Sequence, residues 1–293
     1  MKWKTGRRSQ NIQDRRGMSS RGGHRGGSRG GGGSPMVVGG GGLGMVIFAI
    51  VIALLGGDPS IVLDAAMPVP QTPTGGQYQT ASAEENEQAD FVSAVLASTE
   101  DTWNKLFPQE LGGNYREPNL ILFSGAVESA CGYAQAAVGP FYCPADQSVY
   151  IDLSFYQELQ YNLGAPGDFA QAYVIAHEVG HHVQNLLGIS KQVRAAQQRT
   201  SQTQANQLSV RQELQADCLA GIWANDNRED LEAGDIEEAL NAASQIGDDN
   251  LQKRQRGYVT PDSFTHGSAA QRVEWFQRGF SSGDVDSCDT FSG

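Results

Sequence analysis

Cysteine and histidine are scarce in this chain of 293 residues, which has four of the first and five of the second. None of the cysteines forms a C-x-x-C pair, so a structural zinc knuckle has little support. The length and the low cysteine content together exclude a small disulfide-dense scaffold. The chain is long enough for one sizeable globular domain with additional segments.

Basic residues are also scarce in most of the chain. Residues 1–35 contain nine of the 21 Lys and Arg residues and one acid, so the other 258 residues carry 12 basic and 32 acidic side chains. The main part of the protein is therefore a poor candidate for nucleic-acid binding. Residues 1–35 are rich in Gly and Arg and are predicted to be a disordered, basic cytoplasmic segment. RNA or anionic-lipid attachment is an alternative for that segment alone.

No charged residue occurs between Pro35 and Gly57. The apolar run 37–55 would span about 28 Å as a helix, close to the thickness of a bilayer's hydrocarbon core. Residues 36–57 are therefore predicted to form a single transmembrane helix, with a cleaved signal peptide as the alternative. Because the basic block precedes the run, we expect a cytoplasmic N-terminus and a domain outside the cytoplasm, in the periplasm or at the cell surface.

Residues 58–88 mix Pro, Thr, Gly, Gln and Glu without sustained periodicity, which is typical of a linker. The folded domain is predicted to occupy residues 89–293 and to begin with an amphipathic helix over 90–106. Two short apolar segments, 119–123 and 148–155, are typical of strands. Because the remaining pattern is mostly helical, we predict an α+β domain that is mainly helical and has a small β-sheet.

The four cysteines are predicted to form two disulfides, because an even number of cysteines outside the cytoplasm favours oxidation. Three pairings are possible. Proximity along the chain favours Cys131–Cys143, which leaves Cys218–Cys288. Buried free thiols are the alternative.

A helical pattern over residues 170–187 contains the sequence H-E-V-G-H. Residues four positions apart share a helix face, so His177 and His181 can bind one zinc ion. Glu178 lies next to that face, where a carboxylate can act as a general base toward water without binding the metal. His182 points about 100° away from His181 and is predicted to lie outside the ligand set.

A catalytic zinc ion needs a third protein ligand. The metzincin continuation is missing, since Gln184 and Leu187 stand where that class has glycine and histidine. A carboxylate is therefore predicted as the third ligand, and Glu213 is the candidate. Asp217, one helical turn later, is predicted to accept the ring N–H of a ligating histidine. The alternative is that both are solvated acids on a surface helix.

The combination H-E-x-x-H followed by E-x-x-x-D resembles the thermolysin-like gluzincins. More closely, the chain resembles the bacterial family of neutral zinc metallopeptidases, over nearly its whole length. Besides the apolar run, the resemblance is carried by GRRSQNIQDRRG (6–17), CGYAQAAVGPFYCP (131–144), VYIDLSF (149–155), AHEVGHHVQ (176–184), ELQADCLAG (213–221) and DSFTHGSAAQRVEWFQRGF (262–280). It implies a zincin-like fold, a bound Zn²⁺ ion and peptide-bond hydrolysis.

Together these features predict a membrane-anchored zinc metallopeptidase that hydrolyses proteins or peptides outside the cytoplasm. Glu178 is the predicted general base, and His266 is predicted to stabilise the oxyanion, with a structural role as its alternative. Residues 149–153 form either an edge strand that pairs with the substrate or a buried strand. The competing function is a zinc-stabilised, non-catalytic binding or regulatory module of the cell envelope.

Overall fold

The computed structural model describes residues 1–17 and 81–292. Its helices are α1 (Ala83–Leu106), α2 (Ser154–Gln157), α3 (Asp168–Leu186), α4 (Ile189–Gln197), α5 (Gln202–Asp226), α6 (Asp235–Gln245), α7 (Asp248–Arg256) and α8 (Ala269–Ser282). Its strands are β1 (Ile12–Asp14), β2 (Asn119–Phe123), β3 (Ala126–Ser129), β4 (Gly132–Gln135), β5 (Phe141–Cys143) and β6 (Ser148–Asp152).

The main sheet has the strand order β1–β2–β6–β5. Strands β1, β2 and β6 are parallel, and β5 runs antiparallel to β6. Successive residues of a strand point to opposite faces, so Leu120 and Leu122 pack with residues of α1 and α3, whereas Ile121 and Phe123 pack with the β3–β4 hairpin. Strand β6 lies inside the sheet and is wholly buried, which confirms the buried alternative for residues 149–153.

Serine residues define where three of the helices begin. Ser82, Ser201 and Ser268 precede α1, α5 and α8, and each forms a capping box with the Glu or Gln three positions later. This reciprocal pairing satisfies two backbone N–H groups that a helix start leaves without partners. Helix α1 consequently begins at Ala83, inside the segment predicted to be a linker and earlier than the predicted start at Asp90.

Helix α3 lies in the interior of the protein. It is flanked by α5 and α6 and also touches α1, β5 and β6. Fourteen of its 19 residues are buried, and these include polar and ionisable side chains as well as apolar ones. Because burying a polar side chain without a partner is costly, the histidines and the glutamate of this helix need partners from neighbouring elements.

The first residues of the chain are built into the domain. Strand β1 pairs with β2, and the wholly buried carboxylate of Glu100 on α1 accepts three hydrogen bonds from this segment. The donors are Arg7 Nη2 at 2.8 Å, Ser9 Oγ at 2.5 Å and Asn11 Nδ2 at 2.8 Å. These bonds offset the cost of burying a charge. The prediction of a disordered basic N-terminus is therefore wrong for residues 1–17.

The predicted single-pass membrane arrangement is also wrong. A bilayer cannot separate an N-terminal segment from a domain when the two share a sheet and several hydrogen bonds. Within residues 1–17 and 81–292, no helix is both long enough and apolar enough to cross a membrane. The predicted helix at 36–57 lies outside the described residues. The corrected fold class is a mainly helical domain with two small sheets, into which residues 1–17 are packed.

Both predicted disulfides are confirmed. Cys131–Cys143 joins the β3–β4 hairpin to strand β5 with its Cα atoms 5.8 Å apart. Cys218–Cys288 joins α5 to the C-terminal segment with its Cα atoms 5.5 Å apart and a sequence separation of 70 residues. In the chain-entropy model, closing a loop of that length contributes roughly 4 kcal/mol to stability.

Candidate metal centre

Two histidines of α3 and a glutamate of α5 converge inside the protein. Nε2 of His177 lies 3.2 Å from Oε2 of Glu213, and Nε2 of His181 lies 3.3 Å from Oε1 of the same carboxylate. One ligand atom from each residue lies within 4.8 Å of the other two. Zinc forms bonds of about 2.0–2.2 Å to such atoms, so one ion can reach all three. Two imidazoles and one carboxylate are a donor set that suits catalytic zinc.

A glycine inside the H-E-V-G-H sequence lets the two helices come close together. A Cβ atom added to Gly180 would lie 3.0 Å from the carbonyl oxygen of Ala216 and 3.4 Å from its Cβ. These distances are short for non-bonded atoms, so a larger residue at this position would push α5 away from α3. The separation of Glu213 from the histidines therefore depends on Gly180.

A buried ionic network holds His177. Oδ1 of Asp217 lies 2.8 Å from Nδ1 of His177, and Tyr173 donates its hydroxyl to the same oxygen at 2.5 Å. Arg272 donates Nε to Oδ2 and Nη2 to Oδ1 of Asp217 at 2.8 and 2.9 Å. Burial raises the pKa of Asp217, but Arg272 and His177 lower it to about 2 overall. The ionised carboxylate accepts the Nδ1 proton, which leaves Nε2 of His177 for a metal.

The second histidine has a neutral partner. Nδ1 of His181 lies 2.9 Å from Oε1 of Gln184, whose side chain is fully buried one turn later on the same helix. The acceptor again occupies the Nδ1 side of the ring. Nε2 of His181 is thereby directed at Glu213, in the same way as Nε2 of His177.

The three candidate ligands attract one another strongly when no metal is bound. Burial lowers the pKa of His177, but Asp217 and Glu213 raise it to about 10 overall. Burial likewise opposes ionisation of Glu213, yet His181 and His177 hold its pKa well below the usual value. In the metal-free site the protonated form of both imidazoles is thus favoured beside the ionised carboxylate. A divalent cation would replace those protons, so metal binding would release them.

Glu178 is buried beside the candidate ligands and is only 8% exposed. Burial raises its pKa, and the charges of His181 and His177 offset part of that rise. A carboxylate whose pKa lies closer to neutrality can both accept and release a proton during a reaction.

His266 lies between α7 and α8, close enough to the metal centre for Glu213 to raise its pKa. Its Nδ1 is 3.1 Å from Oδ1 of Asp248, while Oδ2 of Asp248 accepts the backbone N–H groups of residues 265, 266 and 267 at 2.7, 2.7 and 3.0 Å. Among the described residues, no group accepts a hydrogen bond from Nε2 of His266. The cap of α8 is Ser268, so His266 is not needed to start that helix.

A family described as "Putative neutral zinc metallopeptidase" matches residues 1–291 of the chain. The chain belongs to this family. The match includes residues 1–17, in agreement with their place in the domain. No solved structure matches the chain.

Two relatives show how much of this chain the similarity covers. "Uncharacterized protein YpfJ" of Escherichia coli K12 is 50% identical over 293 residues, which cover 99% of each chain. "Uncharacterized protein Rv2575" of Mycobacterium tuberculosis H37Rv is 43% identical over 214 residues, covering 69% of this chain and 70% of the relative.

Three residues around the metal centre were missed by sequence reasoning. Arg272 had one usable signal, because it lies four positions before the buried Phe276 and so on the packed face of α8. Asp248 and Tyr173 had none, since neither belongs to a recognisable motif. His182 is completely buried and outside the ligand set, and its ring bonds to Tyr142 and to the carbonyl of residue 116.

Proposed function

We propose that this protein is a zinc-dependent peptidase that hydrolyses peptide bonds in proteins or peptides. The observation that carries the proposal is the convergence of His177, His181 and Glu213, with ligand atoms within 4.8 Å of one another. A second carboxylate, Glu178, lies beside this cluster and is not needed to hold the metal. The zinc metallopeptidase family supports chemistry of the same kind.

Zinc held by His177, His181 and Glu213 would polarise the scissile carbonyl and make water more acidic. Glu178 accepts the proton of the attacking water and passes it to the leaving amine. Its raised pKa supports this role because the proton must be released again within the same turnover. The two disulfides favour an oxidising compartment as the place of action.

His266 is the group that we assign to the developing oxyanion. Burial lowers its pKa, but the carboxylates of Asp248 and Glu213 raise it overall, which favours the positively charged form of the ring. Asp248 occupies Nδ1, which leaves the N–H at Nε2 for a substrate oxygen. A positioned donor of this kind stabilises charge that appears only in the transition state.

Replacing Glu178 by Gln tests the enzymatic function directly. We expect Glu178→Gln to retain zinc and to lose turnover, because the amide cannot accept a proton. Glu213→Ala should instead lose most of its zinc. Metal analysis and a proteome-wide cleavage screen measure the two properties, with Glu237→Gln as a control at an exposed position on α6. If the zinc-loaded wild type and Glu178→Gln give the same set of cleaved proteins, the non-catalytic binding module is favoured.

Replacing His266 by Ala tests the assignment of the oxyanion donor. We expect kcat to fall about 10²–10³-fold while the zinc content stays unchanged. Kinetics on any substrate found in the screen, together with metal analysis and the melting temperature, measure these effects. An unchanged kcat with a lowered melting temperature would give His266 a structural role.

A further inference from the structure

A chain of hydrogen bonds runs from the C-terminal segment to His181. Gln215 on α5 donates a hydrogen bond from Nε2 to the carbonyl oxygen of Cys288 at 3.1 Å. Its Oε1 accepts a hydrogen bond from Nε2 of Gln184 at 3.0 Å. Gln184 also donates Nε2 to the carbonyl oxygen of Gln212 at 2.7 Å. The oxygen of Gln184 then lies 2.9 Å from Nδ1 of His181.

The direction of every hydrogen bond in this series follows from the group at which it begins, the carbonyl oxygen of Cys288. A main-chain carbonyl can only accept, so Gln215 must turn its NH₂ group toward Cys288 and its oxygen toward Gln184. Gln184 therefore faces two acceptors with its own NH₂ group, and its oxygen faces the imidazole. The proton of neutral His181 must consequently lie on Nδ1, which leaves the lone pair on Nε2. The network thus assigns the amide orientations and the tautomer together.

Burial prevents water from replacing any member of the chain. Gln184 is fully buried, and Gln215 is 8% exposed. If either amide rotated by half a turn, two donors or two acceptors would face each other without solvent to relieve them. The observed orientation is therefore the one in which both amide groups pair with their neighbours.

The starting carbonyl is itself held in place. Cys288 is bonded to Cys218, which lies on α5 less than one turn after Gln215. Two residues further along, Thr290 donates its hydroxyl to the carbonyl oxygen of Arg211 at 2.7 Å. The C-terminal segment is thus attached to α5 at Cys218 and at Arg211, which lie on either side of Gln215 along the helix.

We propose that Gln184 and Gln215 are positioning residues for zinc, which set the tautomer and the ring orientation of His181 from the carbonyl of Cys288. The proposal rests on the proposed function in one respect, because it takes Nε2 of His181 as a metal ligand. Neither glutamine binds the metal. Gln215 acts on His181 only through Gln184.

Zinc affinity measured by competition with a chelator tests the proposal in the full-length protein. We expect Gln184→Met to weaken zinc binding by about 10–100-fold, the usual effect of losing a group that orients a ligand. Gln215→Met should weaken it in the same direction although it touches no ligand. Gln212→Met is the matched control, because residue 212 contributes only its main-chain carbonyl to the network.

The tautomer of His181 can also be observed directly by NMR. In zinc-loaded protein labelled with ¹⁵N-histidine, two-bond proton–nitrogen correlations show which ring nitrogen carries the proton. We expect a proton on Nδ1 of His181 in the wild type. Gln215→Met should lose or shift that signal, whereas the signal of His177 should remain. This measurement separates an effect on the ring from a general loss of stability.

Four results would overturn either the positioning role of Gln184 and Gln215, here called the relay, or the proposed function. Equal zinc affinities in Gln215→Met and Gln212→Met, or zinc bound through Nδ1 of His181, would overturn the relay and leave the peptidase function intact. Tight zinc binding without peptide cleavage would overturn the function and leave the relay intact. Failure of the wild type to bind zinc would overturn both.

Discussion

The two histidines of the metal centre are supported by opposite kinds of chemistry. His177 faces a carboxylate, Asp217, which is held in turn by the guanidinium of Arg272. His181, one turn later on the same helix, faces the neutral amide of Gln184. Both rings nevertheless direct Nε2 at the same glutamate.

The comparison shows that a charged partner and a neutral partner make different demands on the fold. Asp217 is fully buried and Arg272 is 2% exposed, so each charge depends on the other for its stability. The amide side carries no net charge and needs only correctly oriented donors and acceptors. We therefore expect the support of His177 to be sensitive to the loss of a charge. The support of His181 should instead be sensitive to the direction of its hydrogen bonds.

Arg272→Met should have the largest effect on stability. It removes the guanidinium that donates two hydrogen bonds to the buried carboxylate of Asp217, so the free energy of unfolding should fall by about 3–5 kcal/mol. Urea denaturation in the presence of a chelator measures the metal-free protein. The double variant Arg272→Met/Asp217→Leu removes both charges and should recover most of the loss. If the double variant is no more stable than the single one, the two residues are not coupled.

Asp217→Ala should weaken zinc binding by about 10–100-fold, because His177 loses the group that orients its ring. The zinc affinity of Asp217→Asn should lie between those of this variant and the wild type. An amide oxygen would then face His177, as the amide oxygen of Gln184 faces His181. Chelator competition gives both affinities. Asp226→Ala is the control, because this residue of α5 pairs with Lys105 away from the site. If Asp217→Ala binds zinc as tightly as the wild type does, Asp217 does not orient His177, and the comparison between the partners of the two histidines fails.

The buried His182, beside the neutral side of the centre, should make stability depend on pH. Burial lowers its pKa from 6.5 to about 4, although its bond to the carbonyl of residue 116 acts in the opposite direction. As the pH falls, the unfolded chain therefore binds a proton at His182 at a higher pH than the folded protein does. The stabilisation from neutral His182 is complete above pH 6.5 and is lost as the pH falls toward 4, by about 1.4 kcal/mol per pH unit.

Comparison with His182→Gln isolates this pH effect from the other titrating groups. The difference in unfolding free energy between wild type and variant should shrink as the pH falls below 6.5. Denaturation curves recorded across that range with a chelator present measure it. A difference that does not change with pH would show that His182 keeps an ordinary pKa in the folded protein.

Residues 1–17 differ from the prediction because they are folded into the domain. The composition of residues 1–35 is dominated by the Gly- and Arg-rich stretch after residue 17, so the average concealed a different pattern in the first residues. Those residues include Trp3 and Ile12, which pack against the core, and β1. A three-residue strand with two exposed or half-exposed faces has no periodicity that could predict it.

Local geometry explains which features could be predicted from the amino-acid sequence. The spacing of His177 and His181 places both rings on one helix face, because an α-helix has 3.6 residues per turn. The even number and the spacing of the cysteines, together with the expectation of an oxidising compartment, predicted both disulfides. The apolar segments at 119–123 and 148–155 contain the two central strands.

The residues that support those histidines come from distant parts of the chain, and they could be identified only from the folded protein. Asp217 and Arg272 are separated by 55 residues, and Gln215 and Cys288 by 73. Helical periodicity carries no information over such separations, since it describes neighbours within one element. The close packing of α3 against α5 at Gly180, and of α5 against α8 at Gly221 and Gly279, brings these groups together. Burial then makes each hydrogen bond and charge necessary.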